Sequence, residues 1–397
     1  MKIVFFNRFF APDASATSRF ASDLAFHLAA TGREVHAVAS FARGRAAETE
    51  SLRGVTVHRI APSGAADGLW ARASDYVAYA RAARRAAARL LGRGDVAVIK
   101  TDPPLLLAVL AGTVARHDAK LVAWLQDLFP EVASAYGVPG SGGLAGAVLR
   151  RARDRSLAAA DAVVAVSDDM ARRVADRRCV REGRLHVIHN WADGQAIAPI
   201  PADANPLRRL SGLGDRLVVG YSGNLGRVHD FDTLLGAAAL LRDDPGIAFQ
   251  IVGRGPRQAE VERRIAAEAL ANVRLEPYRE RSALGAGLAL PDVHVVSLRP
   301  AFEGLVQPSK LYGVLAAGRP CLYVGSAEGE TARILRECGA GTTIPPGDAA
   351  RLAREIRALR DDPPLRARQG ASARRAFESR YDAPLALSRW QALIDAL

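Results

Sequence analysis

Short runs of Val, Ile, Leu and Phe alternate with longer amphipathic segments along the first half of the chain. Such short apolar runs predict strands buried on both faces, and the amphipathic segments predict helices that cover them. The predicted strands are Lys2–Phe6, Val35–Ala39, Val55–Ile60, Val96–Lys100, Leu121–Trp124, Ala162–Val166 and Leu185–Ile188. The predicted helices are Ala16–Ala30, Trp70–Leu91, Pro104–Ala115, Leu144–Ala159 and Asp169–Val174. The pattern is typical of an α/β domain built on a parallel sheet.

The alternation weakens over Ala196–Asp215, which is rich in Pro, Gly and Ala and predicts a linker. A second α/β series begins at Leu217. It comprises strands Leu217–Tyr221, Ala248–Val252, Val273–Leu275, Asp292–Leu298 and Pro320–Val324, with helices Asp232–Leu241, Gln258–Leu270, Ser309–Ala317 and Ala349–Leu359. We therefore expect two doubly wound, Rossmann-like domains, at 1–205 and 206–383, with an amphipathic C-terminal helix at 384–397 that packs back on the first.

Periplasmic binding proteins and two-domain dehydrogenases share this element pattern. The amino terminus, MKIVFFNRFF, lacks the apolar stretch and cleavage site of a signal peptide, which weighs against the first class. The first strand-turn, FFNRFFAPDASATS, lacks G-x-G-x-x-G, which weighs against the second.

The composition indicates the kind of partner and the cellular compartment. The 397 residues carry a formal net charge of +12 and a pI of about 10.2. Arg dominates the basic residues and pairs well with phosphate or carboxylate, so an anionic partner is expected, although a generally Arg-rich solvated surface would give the same balance. The three cysteines form neither a disulfide framework nor a zinc motif and fit a reducing cytosol. No stretch approaches the roughly 20 apolar residues of a spanning helix, so we expect a cytoplasmic protein with peripheral membrane contact at most.

The segment Ser297–Gly325 places charged residues between buried elements. Ligands of parallel α/β proteins lie at the carboxyl ends of the strands, where Glu303 and Lys310 are expected. Lys310 begins a predicted helix, and a cation is locally unfavourable there unless it faces an anion. We therefore predict that Lys310 contacts a bound anion; a solvated surface lysine is the alternative.

The segment Leu217–Asp232, LVVGYSGNLGRVHDFD, predicts a strand, a glycine-bearing turn and a helix start. Gly223 and Gly226 allow backbone amides to approach an anion, and Arg227 and His229 add donors. IVGRGP again places glycines, among them Gly253, just past a predicted strand, where an ordinary turn is the alternative interpretation. Asp230-Phe231-Asp232 spells the metal-diphosphate motif D-x-D, but its position at a helix start favours a capping role.

In the first domain, polar residues follow two predicted strands. Asp127 and Glu131 follow Leu121–Trp124, and an acid at that edge can act as a base or orient a hydroxyl; a first-turn helix acid is the alternative for Glu131. Asn7, Arg8 and Asp13 follow the first strand. His186 and His189 have no third ligand nearby in sequence and are interpreted as non-metal residues.

The motifs GYSGNLG, IVGRGP, DVHVVSL and PSKLYGVLAAGRP, with NRFFAPDASATS, TDPP, LQDLFPE, ADAVVAVSDDM and VIHNWAD, resemble glycosyltransferase family 4. The likeness is to the bacterial polysaccharide and lipid-glycan branch and extends over nearly the whole chain. It implies the GT-B fold, with ligands in a cleft between two domains. It also implies retaining transfer from a nucleoside-diphosphate sugar, with UDP as the expected nucleotide, to a glycan, lipid-linked or small-molecule acceptor, without a metal cofactor.

The resemblance assigns roles by position. Diphosphate contacts fall to Gly223, Asn224, Arg227 and Lys310, and the remaining donor-side candidates are Gly253, Pro308, Ser309, Leu311 and Glu330. Asp127, Glu303 and Lys310 are the catalytic candidates. Asn7, Arg8, Asp13 and Glu131 are the acceptor-side candidates.

One position departs from the family pattern. The second acid of the family's E-x7-E pair, which holds the ribose, falls at Gly313, and Leu305 stands eight residues upstream. We expect Glu330 to bind the ribose instead and Glu303 to bind the sugar; a helix-capping role for Glu330 and an ordinary loop carboxylate at Glu303 are the alternatives. A GT-B nucleotide-sugar epimerase and a nucleotide-sugar-binding protein without catalysis remain alternatives.

The Arg-rich helices Trp70–Leu91 and Leu144–Ala159 predict contact with an anionic membrane surface, although a solvated helix face would carry the same charges. Arg72, Arg81, Arg84, Arg85, Arg89, Arg150, Arg151, Arg153 and Arg155 carry this charge. Nucleic acid is not an expected partner, because no platform of interleaved basic and aromatic residues occurs.

Overall fold

The computed structural model describes residues 1–13, 15–42, 47–63 and 69–397. These residues form two compact units. The first comprises residues 1–189, 304–307 and 386–397, and the second comprises residues 190–303 and 308–385. The sequence pattern predicts a boundary at 205/206, whereas the structural division falls between His189 and Asn190.

The first unit contains an eight-stranded sheet in the order β3-β4-β2-β1-β5-β6-β7-β8. Its strands are β1 (Lys2–Phe6), β2 (Glu34–Ala42), β3 (Glu48–Leu52), β4 (Val55–Ser63), β5 (Val96–Lys100), β6 (Lys120–Leu125), β7 (Ala162–Ala165) and β8 (Leu185–Val187). All neighbours pair in parallel except β3, which runs antiparallel to β4 at the edge. The apolar pattern does not predict β3, because most of its residues are polar and exposed.

Helices cover this sheet. They are α1 (Ala16–Ala30), α2 (Leu69–Leu90), α3 (Leu106–Arg116), α4 (Glu131–Ala135), α5 (Gly143–Ala159) and α6 (Asp168–Ala175). Ser15 caps α1 by accepting a hydrogen bond from the Ser18 amide. At the carboxyl terminus, Trp390 is fully buried and its ring centroid lies 4.5 Å from that of Trp124. Residues 386–397 thus form part of the core of the first unit.

The second unit contains a six-stranded parallel sheet in the order β11-β10-β9-β12-β13-β14. Its strands are β9 (Leu217–Ser222), β10 (Ile247–Val252), β11 (Val273–Glu276), β12 (Val293–Ser297), β13 (Cys321–Val324) and β14 (Gly341–Ile344). Strand order reverses direction between β9 and β12. The crevice outside the carboxyl ends of such a strand pair is the usual ligand position in doubly wound sheets.

The helices of the second unit are α7 (Pro206–Leu210), α8 (Asp232–Leu240), α9 (Gln258–Ala267), α10 (Leu284–Ala289), α11 (Lys310–Ala316), α12 (Glu330–Cys338), α13 (Ala349–Asp361) and α14 (Pro363–Arg380), and α15 (Ala383–Asp395) continues into the first unit. The sequence pattern does not predict α14, because its Arg and small residues give little apolar periodicity. Among the described residues, no helix has the length and hydropathy needed to span a bilayer.

Candidate functional site

Lys310 occupies the reversal point of the second sheet. It begins α11 after the loop that follows β12, and its Nζ lies 2.7 Å from Nε2 of His229, in the loop after β9. The other ring nitrogen of His229, Nδ1, lies 2.6 Å from the Ser297 carbonyl oxygen and donates to it. Because Nδ1 carries the proton in neutral imidazole, Nε2 is free to accept a hydrogen bond from the lysine amine. His229 therefore holds the Lys310 amine in place.

Burial sets the charge of this pair. Lys310 keeps part of its surface open to solvent, yet the protein atoms around its amine lower its pKa to about 7. Burial first, and the Lys310 charge second, lower the pKa of His229 to about 3. At neutral pH His229 is thus uncharged, and Lys310 titrates. A bound anion would favour the charged amine.

The glycine turn after β9 makes room for the lysine. Gly223 has a φ of 134°, and a Cβ at this position would lie 2.5 Å from Cε of Lys310. At Gly253, after β10, a Cβ would collide with the carbonyl oxygen of Gly223. The two glycines predicted from sequence therefore allow the Lys310 stem and the turn after β10 to pack against the same piece of backbone.

The other predicted donor-side residues differ in their accessibility. Asn224 and Arg227 are exposed, and the Asn224 carbonyl accepts a hydrogen bond of 2.8 Å from the Tyr221 hydroxyl. Pro308 and Leu311 are buried, with the Leu311 amide donating to the Pro308 carbonyl over 3.2 Å, and Ser309 is the N-cap residue of α11. Asn224 and Arg227 are thus open to a ligand, whereas Pro308 and Leu311 shape the start of α11.

Glu303 lies against the amino-terminal end of α12. Its Oε1 accepts a hydrogen bond of 2.5 Å from the buried Tyr323 hydroxyl, and a Cβ on Gly329, the N-cap residue of α12, would collide with its carboxylate. The positive end of the helix dipole favours an acid at this place. Burial, and then the Glu303 charge, raise the pKa of Tyr323, so its hydroxyl remains a donor.

Glu330 is the first residue of α12, and only 2% of its surface is exposed. Its Oε2 lies 3.9 Å from the Arg333 guanidinium. Gly313 lies within α11, and a Cβ there would approach Cδ1 of Leu288 to 3.1 Å.

Both carboxylates of the D-x-D sequence have partners. Asp230 accepts a hydrogen bond of 2.8 Å from the Thr233 amide in the first turn of α8. Asp232 forms an ion pair of 3.0 Å with Arg264. The capping interpretation of Asp230 agrees with this geometry.

In the first unit, charged residues gather at the reversal point between β1 and β5. Arg8, after β1, pairs through its Nε with Asp102, after β5, over 3.3 Å. Asp127, after β6, reaches solvent, and its amide donates to the Thr101 hydroxyl over 3.3 Å. The dense protein surroundings first, and Asp102 second, raise the pKa of Asp127 to about 6, while Lys100 opposes the shift.

Lys100 ends β5 and is almost fully buried at 1% exposure. Its amine donates to the Thr17 carbonyl over 3.0 Å and lies 4.0 Å from the centroid of the Trp124 ring. Burial lowers its pKa to about 7, against the pull of Asp102 and Asp127. The sequence signal for this residue is a lysine at the end of an otherwise apolar strand. Lys100 is not among the predicted site residues.

The remaining acceptor-side candidates have local partners. Asn7 is buried and its amide nitrogen donates to the Phe9 carbonyl, while exposed Asp13 accepts a hydrogen bond of 2.8 Å from the Ser15 amide. Both carboxylate oxygens of Glu131 lie 3.0 Å from the Arg153 guanidinium. This bidentate pair ties α4 to α5, and it adds a structural role to the one predicted for Glu131.

Comparison with known proteins identifies the chain. The model for "Glycosyltransferase Family 4" matches residues 17–195, and the model for "Glycosyl transferases group 1" matches residues 216–362. The chain belongs to glycosyltransferase family 4. Over 265 residues it is 31% identical to the "Probable glycosyltransferase WbjE" of Pseudomonas aeruginosa, a match that covers 66% of each protein.

Solved structures show the fold of this glycosyltransferase to be GT-B, as the resemblance implied. Sucrose-phosphate synthase from Thermosynechococcus elongatus matches with a TM-score of 0.79 and 18% identity, over 100% of this chain and 98% of that one. HepE from Anabaena, in complex with UDP and glucose, matches with a TM-score of 0.74 and 18% identity, over 100% of both chains.

Proposed function

We propose that this family 4 glycosyltransferase moves a sugar from a nucleoside-diphosphate sugar, with UDP as the nucleotide, to a glycan, lipid-linked or small-molecule acceptor. The observation that carries the proposal is the Lys310 amine, held by His229 at the reversal point of the second sheet beside the Gly223 turn. A cation there suits a diphosphate. The UDP bound to HepE supports the choice of nucleotide.

Charge stabilisation is the main chemistry that the second unit offers. As the bond between the sugar and the β-phosphate breaks, negative charge grows on the departing diphosphate. Lys310, Arg227 and the amides of the Gly223–Asn224 turn would stabilise that charge, and each well-aimed donor is worth about 3 kcal/mol in such a site. These groups do the work that a metal ion does elsewhere, so we propose that the reaction needs no metal.

We propose transfer with retention of the anomeric configuration. The acceptor oxygen bonds to the anomeric carbon on the face from which the diphosphate leaves, and the acceptor proton passes to the departing phosphate oxygen. No protein nucleophile takes part. Asp127, with its pKa near 6, is mainly ionised at neutral pH and orients the acceptor hydroxyl by accepting its hydrogen bond.

Carboxylates that could bind the hydroxyls of the ribose and the sugar lie at positions that differ from the family's usual pattern. We propose that Glu330 binds the ribose hydroxyls in place of an acid at Gly313, and that Glu303 binds the sugar. The position of Glu330 in the first turn of α12, with Glu303 beside the N-cap residue of the same helix, supports this pairing. We also propose peripheral attachment at the inner face of the plasma membrane, where a lipid-linked acceptor would be met.

Nucleotide binding gives a direct test. Thermal shift with UDP, ADP and GDP, in EDTA, should show stabilisation by UDP of about 2.7 kcal/mol at 100 times its dissociation constant. Lys310→Met should weaken UDP binding at least tenfold by removing the charge. Lys120→Met is the matched control, because Lys120 pairs with Asp161 on the first unit at 3.5 Å. Equal UDP affinity of the Lys310→Met variant and the wild type would refute the assigned role of Lys310.

A further inference from the structure

Helix α5 exposes apolar side chains on the face that also carries its basic ones. Leu144 is 84% exposed and Val148 is 61% exposed. Arg151 and Arg155 are also exposed, and they follow Val148 by three and seven positions. At 3.6 residues per turn these four side chains share one helix face. A surface helix of a soluble domain normally turns its apolar stripe inward, so this arrangement requires an explanation.

A basic groove runs beside this face. It has a volume of about 730 Å³, and Arg150, Arg151, Arg155 and Arg177 line it. The acid in the groove, Asp154, is already engaged, at 2.7 Å by Arg153 and at 2.8 Å by Arg177. The groove therefore presents guanidinium groups in excess over carboxylates, which suits several phosphate groups.

The pattern continues on the neighbouring helices. Helix α3 packs against both α2 and α5. A second depression, of about 410 Å³, is lined by Arg81, Arg84, Arg85 and Arg116. Exposed Val77 (47%), four positions before Arg81 on α2, and exposed Val109 (39%), four positions before Thr113 on α3, add apolar surface to the same two helices. The side chain of Arg72, also predicted to contribute, lies outside the described residues.

We propose that the exposed faces of α2, α3 and α5, hereafter the basic face, form a docking surface for a bilayer containing anionic phospholipid. Arg side chains in the two depressions bind the lipid phosphates, while Leu144 and Val148 enter the boundary between headgroups and acyl chains. A bilayer supplies partners for both kinds of side chain. A nucleic acid would satisfy the Arg residues but leave the exposed aliphatic side chains in water. The biological purpose of the surface, delivery to a lipid-linked acceptor, rests on the proposed function; its lipid binding does not.

Vesicle flotation tests the basic face. The full chain should float at low salt with vesicles of phosphatidylcholine and phosphatidylglycerol, and should not float with phosphatidylcholine alone. Replacing Arg150, Arg151 and Arg155 together by Gln should lower the partition coefficient into anionic vesicles about 100-fold. Each basic residue near an anionic surface raises that coefficient about fivefold. Leu144→Ser with Val148→Ser should weaken it about tenfold at unchanged charge.

Matched variants on the second unit separate a surface effect from a loss of net charge. Arg336, Arg354 and Arg368 are exposed, and their replacement by Gln removes the same charge. Leu210, at 84% exposure, and Leu240, at 54%, serve as controls for the apolar pair. These control variants should float like the wild type. Thermal unfolding and UDP binding of the basic-face variants should also be unchanged, so failure of the donor proposal and failure of the membrane proposal give different results.

Three outcomes would overturn the proposal. The wild type could fail to float with anionic vesicles at low salt. The control variants could lose flotation as strongly as the basic-face variants, which would show general charge attraction. A random RNA or DNA duplex could bind the basic face more tightly than the vesicles do, which would identify a nucleic acid as its partner.

Discussion

Lys310 combines two conditions that separately disfavour a charged amine. It lies at the amino-terminal end of α11, where the helix dipole opposes a cation, and its surroundings lower its pKa to about 7. The buried imidazole of His229 nevertheless holds the amine by a hydrogen bond. An anion bound beside the amine would reverse both penalties. We therefore propose that Lys310 serves ligand binding rather than stability.

Nucleotide affinity should accordingly depend on pH. Below pH 7 the Lys310 amine of the free protein is charged, and above pH 7 it is neutral. Above pH 7 the binding of UDP must therefore be accompanied by the uptake of one proton from solvent. We expect the dissociation constant of UDP to rise roughly tenfold between pH 7 and 8.5, a range in which the terminal phosphate keeps its charge. Isothermal titration calorimetry in buffers of different ionisation enthalpy would measure both the affinity and the proton uptake.

The Lys310→Met variant supplies the control for this titration. Its weaker affinity should be nearly independent of pH over the same range, and its binding should take up no proton. If the variant keeps the slope and the proton uptake of the wild type, another group is responsible.

At the scale of elements, α12 illustrates how an acid is held. Tyr323, on β13, donates to Glu303, which also lies against the N-cap residue of α12. Two elements, β13 and the amino-terminal end of α12, thus meet at one carboxylate. This arrangement keeps Glu303 in position without a ligand, as a preorganised contact requires.

A double-mutant cycle would measure this contact. Tyr323→Phe should lower the free energy of unfolding by about 2 kcal/mol, because a buried hydrogen bond to a charged group is lost. The effect should shrink in a Glu303→Gln background, where the acceptor is neutral, giving a coupling of about 1 kcal/mol. Urea unfolding of the four proteins gives these values. Strictly additive effects would show that the hydroxyl and the carboxylate do not interact.

The sequence predicted elements best where apolar periodicity was strong. The buried strands, and helices such as α1 at Ala16–Ala30, were predicted closely. Edge strand β3 and helix α14 were not, because β3 has mostly exposed polar residues and α14 buries only Gly370, Ala373, Ala376 and Phe377 among its Arg residues. Their formation depends on the neighbours they pack against, and a local pattern does not contain those neighbours.

The contacts within the candidate site were less predictable. Lys310 could be chosen because its conflict with the helix start is local. Its partnership with His229 joins positions 81 residues apart, and that of Tyr323 with Glu303 joins positions 20 apart, so only the fold reveals them. Buried Lys100 was not predicted, because its environment is formed by Trp124 and Asp127. These residues lie on, and just after, the adjacent strand β6.

At the scale of the whole molecule, each of the two sheets places charged residues where its strand order reverses. The second unit gathers cations and glycine turns there, and the first gathers Arg8, Asp102 and Asp127 with buried Lys100. The cations of the second unit suit a leaving diphosphate, and the charged residues of the first unit suit a hydroxyl that must be oriented. These are the donor-side and acceptor-side roles that we propose for this family 4 glycosyltransferase.

The anomeric configuration of the released sugar tests the account most directly. The purified chain would be incubated with an α-linked UDP-sugar that stabilises it in thermal shift, and the anomeric proton of the slowly released sugar would be followed by NMR before mutarotation. We predict that the α-anomer appears first, in EDTA, and more slowly in the Lys310→Met variant. First appearance of the β-anomer, or release that stops when metal is removed, would contradict the proposed mechanism.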